Sequence, residues 1–481
     1  MCYNFFQTLK MDDLWKRRGW LHLAPGLILS ILLVGCGTPI YIVKHPEVEG
    51  RHPPDAQLGM ELILHEKAPK MCTSLIDKEG AAHVFVVDKG KQLKHVKILG
   101  DEIVNREILG IIETKQSEVI DAVEHPIGKL RVLAGDKQYV QVAPNQRWHE
   151  IKENRCTRFV PLADDLYCSF VIKGEEIAAP ERTDYTVGWC LIVPVFFWSH
   201  EQASKIVLAQ ESPDGWIVRA VVDPETPMDA GGDFMVGTDS LGNIHFLYFT
   251  SRGGGAFFFF AYGYSGAGGI KEPKSELRCA YLTIDELLSQ PADARNAALT
   301  SNQTPMKWVS VKGTALPNKP FINKDLRYDS AIAELRPLNR NFSVNKVTGE
   351  VNGLMGTSGL WMELSLHDDK WRPYYNIVTT DGFPNSNWQW FPTDNPFIKI
   401  DGKGTYHVLL KSVERKSDWS SAKRIMNYFY KKHNDWSAPL KLGNSHWYDN
   451  IVSLAVSDSG VSFAAWVNEE GRFIGRWIRP H

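Results

Sequence analysis

Short runs of alternating apolar and polar residues make up most of this chain, and turns rich in glycine, aspartate and asparagine separate them. The first eight runs are "CTSLID", "AHVFVVD", "LKHVKIL", "EIVNREIL", "EVIDAVE", "KLRVLAG", "QYVQVA" and "RWHEIK". Alternation with a period of two residues predicts half-buried β-strands. The sequence therefore predicts an all-β protein built from groups of four short antiparallel strands.

Repeats of four short strands are typical of a single β-propeller, in which each blade is one small sheet around a central axis. About seven four-stranded blades are predicted, with first strands near Cys72, Glu118, Arg158, Asp233, Asn341, Phe397 and Ile451. The last group has only three strands, and the N-terminal stretch "LGMELILHE" has no other partner. We expect this strand to complete the last blade and close the ring, which removes the open sheet edges. A two-sheet sandwich is the alternative, but the four-strand period fits it poorly.

One phrase, an acidic residue followed by glycine and histidine, returns in the first turn of several groups. It occurs in "IDKEGAAHVFVVD", "GTDSLGNIHFLYF" and "KIDGKGTYHVLLK", and without the histidine in "VSDSGVSFAAW". Glycine supplies the positive φ of a tight hairpin, and an acidic side chain accepts hydrogen bonds from the amides of its own turn. We therefore expect structural turns, with His83, His245 and His407 at the start of second strands. Catalysis by these histidines is the alternative, although copies around a ring lie too far apart to meet at one substrate.

The N-terminus has the pattern of an export signal. The basic residues "KRR" precede the apolar run "LILSILLV", which is too short to span a bilayer comfortably. The following "LVGCG" resembles the lipobox of bacterial lipoproteins. This resemblance implies acylation of Cys36 and, because Gly37 rather than aspartate follows, sorting to the outer membrane. An uncleaved N-terminal anchor is the alternative.

These features divide the chain into three parts. Residues 1–35 are predicted to be a lipoprotein signal peptide, residues 36–57 a tether rich in proline and charge, and residues 58–481 the propeller. The predicted protein is exported and held on a bacterial membrane by its lipid anchor. The sequence leaves its oligomeric state open.

Composition and spacing exclude several kinds of partner. The chain has 54 basic and 56 acidic residues, a balance that argues against a nucleic-acid-binding surface. No Cys-x-x-Cys or His-Glu-x-x-His spacing occurs, so no metal site and no cofactor is predicted. The exported part allows one or two disulfides and leaves their pairing open, with the cysteines Cys72, Cys156, Cys168, Cys190 and Cys279.

The turns and tryptophans together resemble the BNR-type, sialidase-like propellers. Predicted outer strands carry "SPDGW", which ends at Trp216, and "NDW", which ends at Trp436. The resemblance covers nearly all of residues 58–481 and is architectural. The strict Asp-box, Ser-x-Asp-x-Gly-x-x-Trp, is matched only in shortened form, and no Phe/Tyr-Arg-Ile-Pro is present. It implies the fold, and a ligand site on the face that carries the loops between blades, rather than sialidase activity.

Long insertions gather on that same predicted face, where function in such folds usually lies. They occupy residues 172–204, 251–275, 313–330, 379–396 and 413–423. Two contain unusually apolar stretches, "GWCLIVPVFFW" and "GGGAFFFFAYGYSGAGG". We expect these stretches to pack on each other as hairpins, or else to bind a partner protein.

A set of aromatic residues is predicted to bind the ligand. The insertion "NSNWQWFPTDNP" places Trp388, Trp390 and Phe391 beside Asp394 in a loop without strand alternation, and Trp447 follows near the next blade. Aromatic faces stack on the apolar C–H faces of sugars, and amides and carboxylates bond to sugar hydroxyls. A glycan is therefore the predicted ligand. The alternative is that the tryptophans only pack the loop onto the body.

A second set has the side chains for acid–base chemistry. The stretch "GNSHWYDN" brings His446, Tyr448 and Asp449 to the predicted mouth, and Arg327 is suited to an acidic sugar. Asp394 and Asp449 would be a carboxylate pair. Three functions stay open: a glycan-binding lipoprotein, a glycoside hydrolase or polysaccharide lyase on the same scaffold, and a protein-binding subunit of an envelope assembly.

Overall fold

The computed structural model describes residues 55–112, 119–135, 137–143, 146–151, 156–162, 165–172, 182–190, 193–201, 204–212, 215–223, 234–250, 254–261, 264–271, 276–289, 309–316, 338–357, 360–367, 370–379, 389–392, 396–415, 423–432, 435–447 and 449–480. All of these residues belong to the unit Pro46–His481. The fold is all-β, and the described helices are α1 (Ile284–Leu288) and α2 (Leu338–Asn341). Neither helix is long and apolar enough to cross a bilayer.

The strands follow one another along the whole described chain. The first part forms β1 (Ala56–Leu58), β2 (Leu62–His65), β3 (Met71–Ile76), β4 (Ala82–Val87), β5 (Gln92–Leu99), β6 (Glu102–Ile111), β7 (Ile120–Glu124), β8 (Leu130–Ala134), β9 (Lys137–Gln141) and β10 (His149–Ile151). The middle part forms β11 (Arg158–Leu162), β12 (Asp165–Ile172), β13 (Arg182–Cys190), β14 (Val193–Glu201), β15 (Lys205–Ser212), β16 (Gly215–Val222), β17 (Phe234–Thr238), β18 (Ile244–Thr250), β19 (Gly254–Ala261), β20 (Tyr264–Lys271), β21 (Glu276–Leu282), β22 (Val309–Val311) and β23 (Gly313–Ala315). The last part forms β24 (Phe342–Val344), β25 (Val351–Thr357), β26 (Leu360–His367), β27 (Lys370–Thr379), β28 (Gln389–Pro392), β29 (Phe397–Ile400), β30 (Tyr406–Arg415), β31 (Lys423–Lys432), β32 (Asp435–Trp436), β33 (Leu440–Asn444), β34 (Val452–Val456), β35 (Ser462–Val467) and β36 (Phe473–Pro480).

Within the described residues these strands form eight sheets. Sheet 1 is β3–β6, sheet 2 is β7–β10, and sheet 3 is β11, β12, β15 and β16 with β22 added parallel to β16. Sheet 4 is β17, β18, β21 and β23, sheet 5 is β24–β27, and sheet 6 is β28–β33. Sheet 7 is β34–β36 with β1 and β2, and the hairpin sheet is β13, β14, β19 and β20.

Sheets 1 to 7 contact one another in a series that returns to its start. The first strands touch in the order β3, β7, β11, β17, β24, β29, β34 and again β3. The hydroxyls of Ser74 and Ser453 join the last strand of this series to the first, with their oxygens 2.6 Å apart. Each first strand therefore has a neighbour on both sides.

The hydrophobic core is divided among the junctions between successive sheets. Seven clusters of buried side chains each combine residues of two neighbouring sheets. In the cluster between sheets 7 and 1, for example, Val84 and Val86 pack with Phe463 and Phe473. Burial of apolar area between sheets, rather than within one sheet, holds the arrangement together.

The repeated acidic-glycine-histidine phrase forms the turn between the first and second strands of sheets 1, 4 and 6. At one copy, Asp401 Oδ1 accepts the backbone N–H groups of Lys403 and Thr405, each at 2.8 Å, and Asp401 Oδ2 lies 3.3 Å from His407 Nε2. Gly404 has φ +81°, which the tight turn requires. The equivalent aspartate–histidine distances are 2.8 Å at Asp77 and His83 and 3.3 Å at Asp239 and His245. The prediction that the acidic side chain accepts hydrogen bonds from the amides of its own turn is confirmed.

The two apolar insertions join edge to edge by backbone pairing. The hairpin β13–β14 is inserted between β12 and β15 of sheet 3, and β19–β20 between β18 and β21 of sheet 4. Phe196 of β14 stands opposite Phe258 of β19, and Trp198 opposite Ala256. The hairpin sheet therefore links sheets 3 and 4 at the end opposite their first turns.

The N-terminal stretch that lacked a partner in the sequence pairs with the C-terminal strand. Leu62 of β2 stands opposite Gly475 of β36, and Ala56 of β1 opposite Pro480. Pairing thus begins at Ala56, two residues before the predicted start of the folded body. Both ends of the described chain lie in sheet 7.

Candidate functional site

The loop between sheets 6 and 7, residues 445–451 and here called the mouth loop, is fixed by its backbone to both sheets. Ser445 N donates to the carbonyl of Arg424 in β31 at 2.8 Å, and His446 N donates to the carbonyl of Val467 in β35 at 2.9 Å. Because strands alternate in direction, the loop lies at the end of sheet 6 opposite the Asp401 turn. We call this the insertion end, and the end with the Asp401 turn the turn end.

Two predicted catalytic residues contact each other on this loop. His446 Nδ1 lies 3.1 Å from Asp449 Oδ2, and both side chains are half-buried. A carboxylate beside Nδ1 favours the tautomer that carries its proton there, which makes Nε2 the basic atom of the ring. The pair therefore has the arrangement of an imidazole oriented for proton transfer.

A buried lysine holds the second half of the mouth loop. Lys411 of β30 is only 2% exposed, and its Nζ donates to the carbonyl of Asp449 at 2.7 Å and to Asn450 Oδ1 at 3.1 Å. A buried ammonium is tolerated because hydrogen-bond acceptors surround it. Sequence reasoning missed Lys411, although a lysine that interrupts the apolar run "YHVLLKSV" was the available signal.

Trp447 presents an aromatic ring to solvent next to a cation. Its side chain is 39% exposed, and Trp447 is the one exposed tryptophan among the side chains that the structure describes. Arg424 Cζ lies 4.8 Å from the centre of the Trp447 ring, within the range of a cation–π interaction. The Arg424 guanidinium packs over the Trp447 indole, and the indole remains exposed to solvent.

The mouth loop also contacts the element that precedes the first strand of sheet 5. Arg340 of α2 donates from Nη1 to the carbonyl of Asn450 at 3.3 Å. Its guanidinium carbon lies 6.0 Å from the centre of the Phe397 ring, at the start of β29. The site therefore extends from the rim of sheets 6 and 7 towards the first strands.

The structure brings part of the predicted site together. His446, Trp447 and Asp449 share the mouth loop, and β28 carries Trp390 and Phe391 at the same insertion end, where its backbone pairs with β30. The prediction of a loop is wrong over Gln389–Pro392, because pairing with β30 makes this segment a strand. The side chains of Trp390 and Phe391 lie outside the described part. So do the whole residues Cys36, Arg327, Trp388, Asp394 and Tyr448.

In the described part of the chain, no group of three or more histidine, cysteine, aspartate or glutamate side chains is arranged to hold a metal ion. The described side chains of the mouth loop include an oriented imidazole, a carboxylate, an amide and an exposed indole. These groups can bond to hydroxyls, stack on an apolar ring face and transfer a proton.

No known protein family and no curated protein matches this chain. Among solved structures, it is similar to a polysaccharide lyase, the PL25 ulvan lyase bound to -[GlcA(1-4)Rha3S]-, with 9% identity, a TM-score of 0.40, and coverage of 87% of this chain and 95% of that one. It is also similar to the Aleuria aurantia lectin in complex with alpha-methyl-L-fucoside, with 8% identity, a TM-score of 0.30 and coverage of 87% and 92%. A third similar structure is the GH93 alpha-L-arabinofuranosidase of Fusarium graminearum, with 9% identity, a TM-score of 0.32 and coverage of 88% and 98%.

Proposed function

We propose that this protein binds a glycan at the insertion end, through the mouth loop of a seven-bladed propeller. One observation carries the proposal. A single loop combines an exposed indole, an imidazole oriented by a carboxylate, and an amide, and a buried lysine holds its backbone. A rigid set of aromatic and polar groups at the rim of a scaffold is what sugar recognition requires.

The proposed propeller has sheets 1 to 7 as its blades and β1 and β2 as the strands that close it. Two observations support this arrangement: the series of first-strand contacts returns to its start, and each hydrophobic cluster lies between successive sheets. The pairing of β2 with β36 places both chain ends in one blade, which would leave no open edge in the ring.

The surroundings of Trp447 favour a sugar over an apolar protein surface. Arg424 lies against its ring, and the polar side chains of His446 and Asp449 belong to the same loop. Surfaces that bind another protein are typically contiguous apolar patches. An isolated indole among hydrogen-bonding groups instead matches the alternating C–H faces and hydroxyls of a sugar.

The test is binding of the full chain to a panel of neutral and acidic polysaccharides, measured by affinity electrophoresis. Trp447→Ala is expected to weaken binding by about 1–3 kcal/mol, as loss of an aromatic contact at a binding site does. The matched control is Tyr281→Ala, because Tyr281 is also an exposed aromatic residue but lies beside His245 at the turn end. Equal binding by both variants would show that the mouth loop is not the site.

The second candidate function, cleavage of the bound glycan, is favoured by the His446–Asp449 pair. One oriented base suits a lyase. His446 Nε2 would remove the proton from the carbon beside a sugar carboxylate, and the electron pair of that C–H bond would form a C=C bond. The glycosidic oxygen would leave with the electron pair of the broken C–O bond and take up a proton. Hydrolysis by the usual route needs two carboxyl groups across the bond, and Asp449 alone is described at the loop.

Product analysis separates binding from cleavage. If the protein is a lyase, wild type should release chains with unsaturated ends, and His446→Ala and Asp449→Asn should abolish this release while binding is kept. New reducing ends without unsaturation would indicate a hydrolase. Binding without either product would leave the protein a binder.

We further propose that the propeller is tethered to a bacterial outer membrane through Cys36. The support is the lipobox pattern around this residue and the proline-rich stretch that follows it. In a protein anchored in this way, the insertion end would contact glycans of the cell envelope or of the external medium. A protein-binding role in an envelope assembly becomes the better account if no glycan of the panel binds.

A further inference from the structure

Three basic residues lie in a first strand or directly before one. Arg158 begins β11 of sheet 3, Lys399 lies in β29 of sheet 6, and Arg340 of α2 directly precedes β24 of sheet 5. Lys399 lies two residues before the Asp401 turn, and its Nζ is 5.8 Å from the centre of the Phe397 ring, which begins the same strand at the insertion end. Together with Phe397 we call them the axial cluster. Because first strands contact one another in a closed series, their unpaired edges surround one common space.

Basic residues of the cluster interact electrostatically with residues of sheets that are not their neighbours. Asp121 of sheet 2 interacts with Arg158 and with Lys399, although sheets 2 and 6 are not neighbours in the contact series. Arg340 likewise interacts with Cys72 of sheet 1. Coulomb interactions weaken with distance, so these contacts indicate that the basic groups lie close to residues of sheets 1 and 2.

Phe397 connects the cluster to the mouth loop. Lys399 Nζ lies 5.8 Å and Arg340 Cζ 6.0 Å from the centre of its ring. Arg340 also donates to the carbonyl of Asn450 at 3.3 Å, so the same side chain contacts the proposed glycan site. The cluster and the mouth loop are therefore parts of one continuous surface.

Among the described residues of the first strands, one carboxylate, that of Asp121, interacts with two cationic groups of the cluster, Arg158 and Lys399. The Asp121 carboxylate also accepts the N–H groups of Phe159 at 2.8 Å and Ala122 at 3.0 Å, and it carries a single negative charge against the three cationic groups of the cluster. Glu124 on the same strand accepts the N–H of Gly128 at the turn end. Among the described residues, Lys399 Nζ has no hydrogen-bond acceptor.

The pKa values agree with an excess of positive charge. Burial lowers the pKa of Lys399; Asp121 opposes this effect, while Arg158 and Lys346 add to it. The Lys399 side chain is nevertheless exposed to solvent, so an anion can reach its ammonium group. An anion placed there would restore the interactions that the ammonium lacks.

We propose that the axial cluster binds the anionic group of an acidic glycan, a carboxylate or a sulfate, while the mouth loop contacts its sugar rings. This inference rests on the proposed function and names the class of glycan. Guanidinium and ammonium groups provide charge-assisted hydrogen bonds to such an anion, and low dielectric strengthens them. The aromatic ring of Phe397 offers an apolar face next to them.

The test compares acidic polysaccharides with their neutralised forms. The probes are pectate and methyl-esterified pectin, hyaluronan and carboxyl-reduced hyaluronan, and carrageenan and desulfated carrageenan. We expect the wild type to bind an acidic member, to lose that binding with the neutral counterpart, and to bind more weakly as salt increases. The acidic member that binds distinguishes carboxylate from sulfate.

Lys399→Met is the informative variant, because Lys399 has no described hydrogen bond whose loss would disturb folding. Its affinity should fall about tenfold or more, as expected for loss of a charge-assisted contact. Lys403→Met is the control, since this exposed lysine lies in the Asp401 turn, outside the axial cluster and at the end opposite the mouth loop. Equal binding of acidic and neutral forms, or wild-type affinity of Lys399→Met, would overturn the inference.

The variants also separate the two proposals. If Trp447→Ala weakens binding and Lys399→Met does not, the proposed glycan site stands and the acidic specificity fails. If no polysaccharide of the panel binds, both proposals fail.

Discussion

At the scale of single residues, the first acidic-glycine-histidine turn is extended into a buried chain of hydrogen bonds. His83 Nε2 lies 2.8 Å from Asp77 Oδ2, His83 Nδ1 lies 2.9 Å from His95 Nε2, and His95 Nδ1 lies 2.8 Å from Glu107 Oε1. Each of the three contacts needs one N–H proton. With both carboxylates ionised, the two rings therefore carry three N–H protons between them, one more than two neutral rings have, and one positive charge. A further proton would place two charged rings in contact.

This chain predicts acid-sensitive stability. Burial lowers the pKa of His95; the hydrogen bond to Glu107 opposes the shift and the charge of His83 adds to it. Below the ordinary histidine pKa of about 6.5, the unfolded chain therefore binds more protons than the folded one. The free energy of unfolding should fall with decreasing pH, by up to about 1.4 kcal/mol per pH unit for this group.

The measurement is urea denaturation of wild type and His95→Gln over the mildly acidic range. The variant should lose stability less steeply than wild type as pH falls, because it has one fewer histidine that resists protonation. Identical slopes would show that the chain of hydrogen bonds does not control the acid response.

Turn glycines give a second prediction at this scale. Gly242 has φ +82°, and an added Cβ would meet only Ile284 at 3.8 Å, an ordinary contact. Gly242→Val should therefore destabilise through backbone strain alone, by about 1–2 kcal/mol or somewhat more for a β-branched residue. Leu241→Ala in the same turn is the control, since Leu241 is exposed. A thermal melt in which both variants match wild type would contradict this account.

At the scale of elements, β2 is predicted to be essential although it is short. Leu64 is 2% exposed and packs in the cluster between sheets 7 and 1. Leu64→Ala should lower the free energy of unfolding by about 2–5 kcal/mol, whereas Met60→Ala, at a residue 62% exposed, should change it little. Denaturant unfolding checks the pair. Similar unfolding midpoints for both variants would mean that the packing of β2 contributes little to the stability of the fold.

The hairpin sheet gives the second prediction for an element. Backbone pairing of β14 with β19 is the described link between the two insertions. Replacing residues 182–201 by a short glycine–serine turn should expose the edge of β19 and accelerate amide exchange over Gly254–Ala261. Amides of β21 are the internal control, because their partner β18 is retained. Unchanged exchange in β19 would show that its hairpin is stable alone.

At the scale of the whole molecule, the proposed anchor predicts membrane association. If Cys36 is acylated, wild type should partition into detergent and Cys36→Ser should be released or keep its signal peptide, because the acyl chains are then missing. Membrane fractionation and mass spectrometry of the N-terminus check this. Equal partitioning of both proteins with the signal attached would instead support the uncleaved anchor.

The sequence by itself determined the strands and their grouping. All eight quoted runs are strands in sheets 1 and 2, and each predicted first strand begins within two residues of the observed one. The alternation of apolar and polar residues and the glycines of the turns are local patterns that extend over a few residues. They can therefore be recognised in the sequence without knowledge of the fold. The segment around Trp390 lacks alternation and became a strand only by pairing with β30.

Only the tertiary structure decided which side chains meet. Lys411 reaches Asp449 across 38 positions of sequence, and Arg340 reaches Asn450 across 110. Nothing local in "YHVLLKSV" or "LNRN" identifies these partners, because each contact depends on how sheets 5, 6 and 7 are placed. The axial cluster is the extreme case, since its members come from sheets 3, 5 and 6. These residues are close together because the first strands contact one another in a closed series. Their electrostatic interactions depend on distance in space and not on separation in the sequence.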